Sequence, residues 1–394
     1  LRQPLVANDL AFPVQLSDIG PITKILFRTS TMTNFAQRRS KLRALLRKEG
    51  TDALLVTNFV NVTYLTGFTG DDSYLLVTPK SDLVISDERY TTQLGEECPD
   101  LELEIRGPGK QMLPTVAEVL KKGKFKKLSV EANSMTLGLH AGLSKAAPDC
   151  ELVSSQGWVE ELRMIKDRDE IALTRIACDQ ARRAFEVVRA SLKPDMTEFE
   201  VANELEYQAR RFGAKGLSFP AIVATGPRAA LPHARPTSKK LSEADFTLID
   251  WGVNEGLYMS DLTRMVVTGK ISPKLRKIYG VVLKAQLAGI AAIRPGVTCE
   301  AVDQAARKVI AKAGFGKQFG HGLGHGTGLE IHEAPRLAQN QSTVLAPGMI
   351  VTVEPGIYFP GWGGVRIEDD VLVTRDGHEV LTSVPKELDE SLVG

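Results

Sequence analysis

A lone carboxylate inside an apolar strand is unfavourable unless a partner neutralises it, and this sequence presents that pattern repeatedly. The run FTLIDWGV at residues 246–253 reads as a buried strand whose one charge is Asp250, and YMSDLTRMVV follows with Asp261. Further on, MIVTVEPGI presents Glu354 and GVRIEDDVLV presents Glu368. Carboxylates gathered at one buried point repel by several kcal/mol per close pair at the effective dielectric of such a site, so they require protons or cations there. Two divalent metals meet that requirement and share bridging oxygens, which protons alone would not. Between the acids lies FGHGLGHGTGLEIHE, residues 319–333, with His321, His325 and His332, three of the six histidines in the chain. Its glycines exclude a stable helix and put the imidazoles on a tight loop or short strand where backbone can approach a ligand closely. One imidazole beside four oxygen ligands suits manganese, iron or cobalt, and zinc less exclusively. Taken singly each residue has a structural alternative: Asp250 as a satisfied buried acid, Glu354 as a turn residue before Pro355, His325 as a core histidine. Together they point to a metal centre.

The elements that must position these residues show a duplication. Leu192, Pro194 and Thr197 (LKPDMT) open a helix with Val201, and Ile293, Pro295 and Thr298 (IRPGVT) open another with Val302. The prolines and the threonines are separated by the same number of residues, and each threonine sits where a helix N-cap belongs. The separations from Asp250 to Glu354 and from Asp261 to Glu368 are close to that period, so each carboxylate has a counterpart in the other copy. Two related halves would bring the four acids together across a pseudo-two-fold axis.

Ahead of this region, residues 34–155 alternate helical and strand-like segments, from a basic amphipathic helix through Leu42, Leu45 and Leu46 to the apolar runs at residues 53–56, 74–77 and 83–85. This reads as a small α/β domain. The cluster at residues 61–70 (NVTYLTGFTG) reads as a turn-rich loop, and a single long helix is expected from Glu161 onward, with the domain boundary just before it. Residues 1–31 are irregular, with Pro4, Pro13 and Pro21, whereas a helical pattern begins at Met32. They are read as an irregular or non-native extension rather than a secretory signal.

At 394 residues, two domains are the natural expectation. With 25% charged residues and a net charge of +1 the chain has no field that would favour nucleic acid or an anionic membrane as a partner. No run approaches the roughly 18–20 apolar residues of a membrane span. Cys98, Cys150, Cys178 and Cys299 are scattered without a C-x-x-C pair, which favours neither a disulfide framework nor a thiolate zinc site and makes a reducing cytoplasm the expected compartment.

The second domain resembles the pita-bread metallopeptidase family of methionine aminopeptidase, aminopeptidase P and prolidase, through the Asp250 strand, SDLTR, FGHGLGHGTGLEIHE, VEPGIY and RIED. The first is similar to the domain that precedes the catalytic one in prolidase, aminopeptidase P and creatinase; methionine aminopeptidase usually lacks it, and creatinase works without metals and lacks the full ligand set. The fold class implied is α/β in the α+β sense: a small creatinase-like α/β domain at residues 32–157, then a duplicated pita-bread catalytic domain at 158–394. The resemblance implies two divalent metals, manganese foremost with cobalt, iron or zinc as alternatives. Asp261 would chelate one together with the shared ligands Asp250 and Glu368, and His325 and Glu354 would hold the other. It further implies Glu354 as the acceptor of the water proton and His332 as the imidazole that stabilises the tetrahedral intermediate or assists the leaving nitrogen. His233, in ALPHARPT, would contact substrate, His321 would line the same pocket, and Arg366 would hold a metal ligand or a substrate carboxylate. The implied reaction is hydrolysis of the Xaa-Pro bond in short proline-containing peptides by a homodimeric dipeptidase. The alternatives are an aminopeptidase P acting on longer peptides and, remotely, an inactive peptidase-like binding protein.

Overall fold

The structure, a computed structural model, describes residues 22–393, with side chains from Asn34 onward. The reading of residues 1–21 lies outside the described residues. The first helix, α1 (Ile22–Glu49), begins ahead of Met32, where the helical pattern was expected to start.

The N-terminal region continues with β1 (Ala53–Val56), α2 (Phe59–Thr66), β2 (Tyr74–Val77), β3 (Asp82–Asp87), α3 (Thr91–Glu97), β4 (Glu102–Arg106), α4 (Met112–Gly123), β5 (Lys127–Glu131), α5 (Leu137–Ala146) and β6 (Glu151–Ser155). Its six strands form one sheet in the order β4-β3-β2-β1-β5-β6. Successive side chains of a strand point to opposite faces. Leu54 and Val56 therefore pack with Leu42, Leu46, Leu65 and Leu94, while Ala53 and Leu55 pack with Val116, Leu120 and Leu143, giving helices on both faces. The segment expected to be a loop is instead α2. Asn58 caps it by accepting the Val60 N–H at 2.9 Å, Gly67 ends it at φ 80°, and Val62 and Leu65 are buried.

The single helix expected from Glu161 is two helices, α6 (Trp158–Arg163) and α7 (Arg168–Ser191). Asp167 breaks it: its carboxylate accepts the N–H groups of Asp169 and Glu170, and Glu170 returns a bond to the Asp167 N–H, forming a capping box.

The duplication is visible in the elements. The first half comprises α7, α8 (Glu198–Arg211), β7 (Gly216–Leu217), β8 (Ile222–Thr225), β9 (Phe246–Trp251), β10 (Val253–Glu255), β11 (Tyr258–Met259) and β12 (Leu262–Val267). The second comprises α9 (Pro273–Ala292), α10 (Cys299–Lys312), β13 (Gly324–Gly326), β14 (Glu333–Leu337), β15 (Ile350–Val353), β16 (Gly356–Phe359), β17 (Gly363–Arg366), β18 (Asp369–Val373) and β19 (His378–Val380). Thr197 caps α8 by accepting the Glu200 N–H and Thr298 caps α10 by accepting the Ala301 N–H, as the repeat predicts. Each threonine also makes an isolated antiparallel bridge, to Lys240 and to Val344 respectively. Behind each helix pair stands an antiparallel sheet, β12-β9-β8 in the first half and β14-β13-β15-β18-β19 in the second. The two sheets share a core in which Phe246, Leu248 and Met265 meet Val351, Val353 and Val371. The opposite face of the first sheet, with Ile249 and Trp251, packs on Ala181 and Phe185 of α7.

Candidate metal centre and substrate cavity

Strand alternation decides where Asp250 points. It has the parity of Phe246 and Leu248, so it faces the second half, while Ile249 and Trp251 face α7. Asp261 sits just ahead of β12, and its N–H donates to Asp370 Oδ2 at 2.8 Å. From the second half, His325 lies in the middle of β13, Glu354 follows the last residue of β15, and Glu368 lies between β17 and β18. Strand β17 ends at Arg366, and the chain passes to β18 through Ile367 and Glu368, so the two side chains do not share a strand. All five residues line one cavity of about 880 Å³, together with His233, His321, His332 and Arg366.

The glycines flanking His325 are dictated by contact. A Cβ on Gly324 would lie 2.0 Å from the Thr352 carbonyl oxygen, and one on Gly326 would lie 2.3 Å from that of Ala334. Only glycine lets β13 sit this close to its neighbours, and that closeness sets the depth of the imidazole.

The donor set fits divalent cations. Donor atoms of Asp261, His325 and Glu368 lie within 4.8 Å of one another. His325 Nδ1 is 3.0 Å from the Gly326 carbonyl, so it carries the proton, and the bare Nε2 faces Asp261 Oδ2 at 3.6 Å and Glu354 Oε1 at 3.4 Å. Acceptors aimed at acceptors require a cation or a proton between them. Asp250 Oδ1 and Asp261 Oδ1 are buried without a hydrogen-bond partner, which points the same way. Burial, and then the neighbouring acids, hold the carboxyls of Asp261 and Glu368 well above the ordinary range. Burial also pushes Glu354 up to about 8 and His325 down to about 4. Asp250 is raised by burial too, though the Arg366 guanidinium ion-paired with it opposes the shift. Carboxyls this reluctant to ionise unaided become good ligands once a cation is present.

The halves hold one another's acids. Arg366 Nε donates to Thr263 Oγ1 at 3.0 Å, and Thr263 donates to Glu368 Oε2 at 2.6 Å. Arg264, 2% exposed, donates through Nη1 to the Glu368 carbonyl at 2.6 Å. Its Nη2 reaches Asp369 Oδ1 at 2.7 Å and the Val384 carbonyl at 2.6 Å, and its Nε reaches the Pro385 carbonyl at 3.0 Å. Lys386 and Thr382 also bind Asp369.

The remaining expected residues fall into two groups. His233 and His332 are exposed to the cavity, His332 with its ring edge-on to His325 at 4.4 Å between centroids. His321, in contrast, has both ring nitrogens engaged by protein, Nδ1 by the Gly322 carbonyl at 2.7 Å and Nε2 by the Tyr358 hydroxyl at 3.1 Å, and burial lowers it to about 4. Tyr358 in turn accepts from Arg366 Nη1 at 3.0 Å. Sequence reasoning missed Tyr358, Thr263 and two cations of the cavity lining, Arg235 and Arg336. Neither arginine has an ion-pair partner within 4.0 Å among the described residues. Their only sequence signal is proximity: Arg235 stands two residues after His233, and Arg336 four residues after His332.

Comparison with known proteins agrees with this architecture. Residues 172–375 match the family model described as metallopeptidase family M24, and residues 38–165 match the creatinase/prolidase N-terminal domain. The chain belongs to metallopeptidase family M24 and has its pita-bread fold, so it is a metal-dependent hydrolase of peptides. A Bacillus subtilis relative named as an uncharacterized peptidase is 42% identical over 348 residues, covering 88% of this chain and 98% of the relative. Among solved structures, the Xaa-Pro dipeptidase from Bacillus anthracis superimposes with a TM-score of 0.87 at 41% identity, covering 90% of this chain and 99% of that one. The X-Pro aminopeptidase from Thermotoga maritima superimposes with a TM-score of 0.80 at 36% identity, covering 86% and 97%. No helix among the described residues is long and apolar enough to cross a membrane.

Proposed function

We propose that the protein is an Xaa-Pro dipeptidase whose metals are held by Asp250, Asp261, His325, Glu354 and Glu368. The observation that carries this reading is the convergence of those five side chains in one cavity with His325 Nε2 bare among carboxylates. Divalent cations, when bound, supply Lewis-acid polarisation of the scissile carbonyl and a water acidic enough to ionise near neutrality. Glu354, beside His325, accepts the water proton and returns it to the departing nitrogen. His332 and His233, exposed in the cavity, hydrogen-bond the substrate carbonyl as it gains charge. Arg366 keeps Asp250 aimed and favours its ionised form against the effect of burial. The prolyl amide has no N–H and a fixed φ, so a cavity shaped for the ring selects it without needing an acceptor for that hydrogen.

A dipeptide is favoured over longer substrates because Arg235 and Arg336, without ion-pair partners among the described residues, offer cations in the cavity lining that match a free carboxylate one residue beyond the scissile bond. The oxygen-rich donor set favours manganese. Cleavage rates for Ala-Pro, Ala-Ala, Ala-Pro-Ala and longer peptides, after chelation and reloading with manganese, cobalt, iron or zinc, test the whole reading. Ala-Pro should be cleaved fastest; preference for the longer peptides would make the enzyme an aminopeptidase, and equal cleavage of Ala-Ala would remove the proline specificity. His233→Ala should keep its metal and melting temperature while kcat/KM falls by about 2–4 kcal/mol of transition-state stabilisation. Normal kinetics in that variant would remove His233 from the site.

A further inference from the structure

His332 has no side-chain hydrogen bond among the described residues, and its one ring contact is with His325. An exposed imidazole held so loosely takes its direction from the backbone on either side of it. That backbone is clamped. Arg163, the last residue of α6 and 3% exposed, donates through Nη2 to Glu330 Oε2 at 2.8 Å and to Glu333 Oε1 at 2.5 Å, so one guanidinium grips both flanks of His332. Glu333 Oε1 also accepts the Glu330 N–H at 3.0 Å, and Lys166 Nζ reaches Glu333 Oε2 at 3.3 Å.

The clamp is anchored in the other domain. Arg163 Nη1 donates to Asn61 Oδ1 at 2.9 Å. Asn61, fully buried on α2, spends its amide on Glu131 Oε1 and Glu160 Oε1, both at 2.7 Å, and Glu131 Oε2 accepts the N–H groups of Thr57 and Asn58. A continuous line of charge-assisted hydrogen bonds thus runs from the N-terminal sheet through α2 and α6 to the loop that carries His332.

We propose that Arg163 is a positioning residue for His332, and that Asn61 makes the N-terminal domain part of the catalytic apparatus by fixing Arg163. This rests on the peptidase reading of the cavity, with His332 in contact with substrate. Side-chain identity alone would not require a second domain for the reaction; the clamp supplies a reason for one.

The test is a double-mutant cycle on an Xaa-Pro dipeptide, with kcat, KM, bound metal and melting temperature measured for wild type, Arg163→Gln, His332→Ala and the double variant. Arg163→Gln is expected to lower kcat by about tenfold or more while KM and bound metal stay within about twofold. In the His332→Ala background the same change should cost less than about twofold, because the residue through which Arg163 acts is gone. Asn61→Ala, which deletes one hydrogen bond to Arg163, should shift kcat in the same direction by less, and it takes the place of Arg163→Gln in the cycle if that variant does not fold. Losses that multiply in the double variant, or a lower melting temperature with kcat per folded enzyme unchanged, would overturn the positioning role alone. A metal-loaded wild-type protein that cleaves no peptide overturns the peptidase reading and this role with it.

Discussion

The two halves of the catalytic domain start from the same plan and diverge in what they bring to the cavity. To the proposed metal ligands the first half contributes only acids, Asp250 from within a strand buried along its whole length and Asp261 from a strand entry, and it lines the cavity further with His233 and Arg235. The second contributes acids placed just outside strand ends, Glu354 and Glu368, and adds imidazoles on a glycine-rich stretch that has no counterpart in the first. His325 and Glu354 are held within the second half, by the Gly326 carbonyl and the Thr352 hydroxyl, but the other three proposed ligands are oriented from the opposite half. Asp250 is held by Arg366, Asp261 by Asp370, and Glu368 by Thr263 and Arg264, each bond crossing from one half to the other. Duplication followed by divergence has produced a site that exists only when both halves are docked.

The sharpest way to break the comparison is to remove one ligand from each half. Asp261→Ala and His325→Ala should each lower hydrolysis on the order of 10³-fold or more while leaving the fold intact, measured at saturating metal with circular dichroism as the control. If either retained about a tenth of wild-type activity, the ligand assignment would be wrong.

A milder change asks whether the crossing bonds matter. Thr263→Val removes a hydroxyl that accepts from Arg366 and donates to Glu368 without altering the strand. Metal affinity should weaken by about 10- to 100-fold, as for other partners of metal-binding carboxylates, read by competition with a chelator. Unchanged affinity would mean the halves dock independently of these bonds.

The smallest expected effect is in the pH dependence of the metal-free protein. Glu354 is pushed up to about 8 and Asp370 to about 7, both by burial, against about 4 when unfolded. Their native pKa values are raised, so their stabilising contribution is complete at low pH and is lost as pH rises through those values. His321 and His325, lowered to about 4, work oppositely but only below their unfolded value of about 6.5. Between about pH 6.5 and 8 the carboxyls alone decide, and the melting temperature of chelated protein should fall with rising pH. Loading with manganese should flatten or reverse that slope. A chelated protein whose melting temperature rises over this interval would show that the acids are not jointly buried.

Much of this site is legible in the sequence for a physical reason. A charge within a strand of otherwise uncharged residues, as at Asp250, has few explanations, and the repeated threonine caps locate its partners in the second half. Where the signal competes with local chemistry, reading fails. The segment at residues 59–66 is rich in β-branched residues and ends in Gly67, so it resembles a loop after a strand; burial of Val62 and Leu65 and the Asn58 cap make it helical. The break between α6 and α7 is present in the sequence as Asp167 followed by Glu170, but its surroundings read as uninterrupted helix. Apart from their proximity to His233 and His332, Arg235 and Arg336 carry no pattern, because lining a cavity is a property of the folded surface and not of the local chain. Asn61 is a related case: its surroundings read as a turn, and its role emerges only once Arg163 and Glu333 are beside it.

The contacts of Arg264 have a mechanical consequence for the C-terminal segment. Residues 382–386 are tied by carbonyls, a hydroxyl and a lysine to a knot of Arg264 and Asp369 that lies directly behind Glu368. Pulling that strap loose would leave a buried guanidinium short of acceptors and slacken a carboxylate of the proposed metal site, with every strand of the sheets still in place. Loosening of this segment is therefore expected to register first as a change in metal occupancy, making the bound ion a gauge of local unfolding outside the cavity.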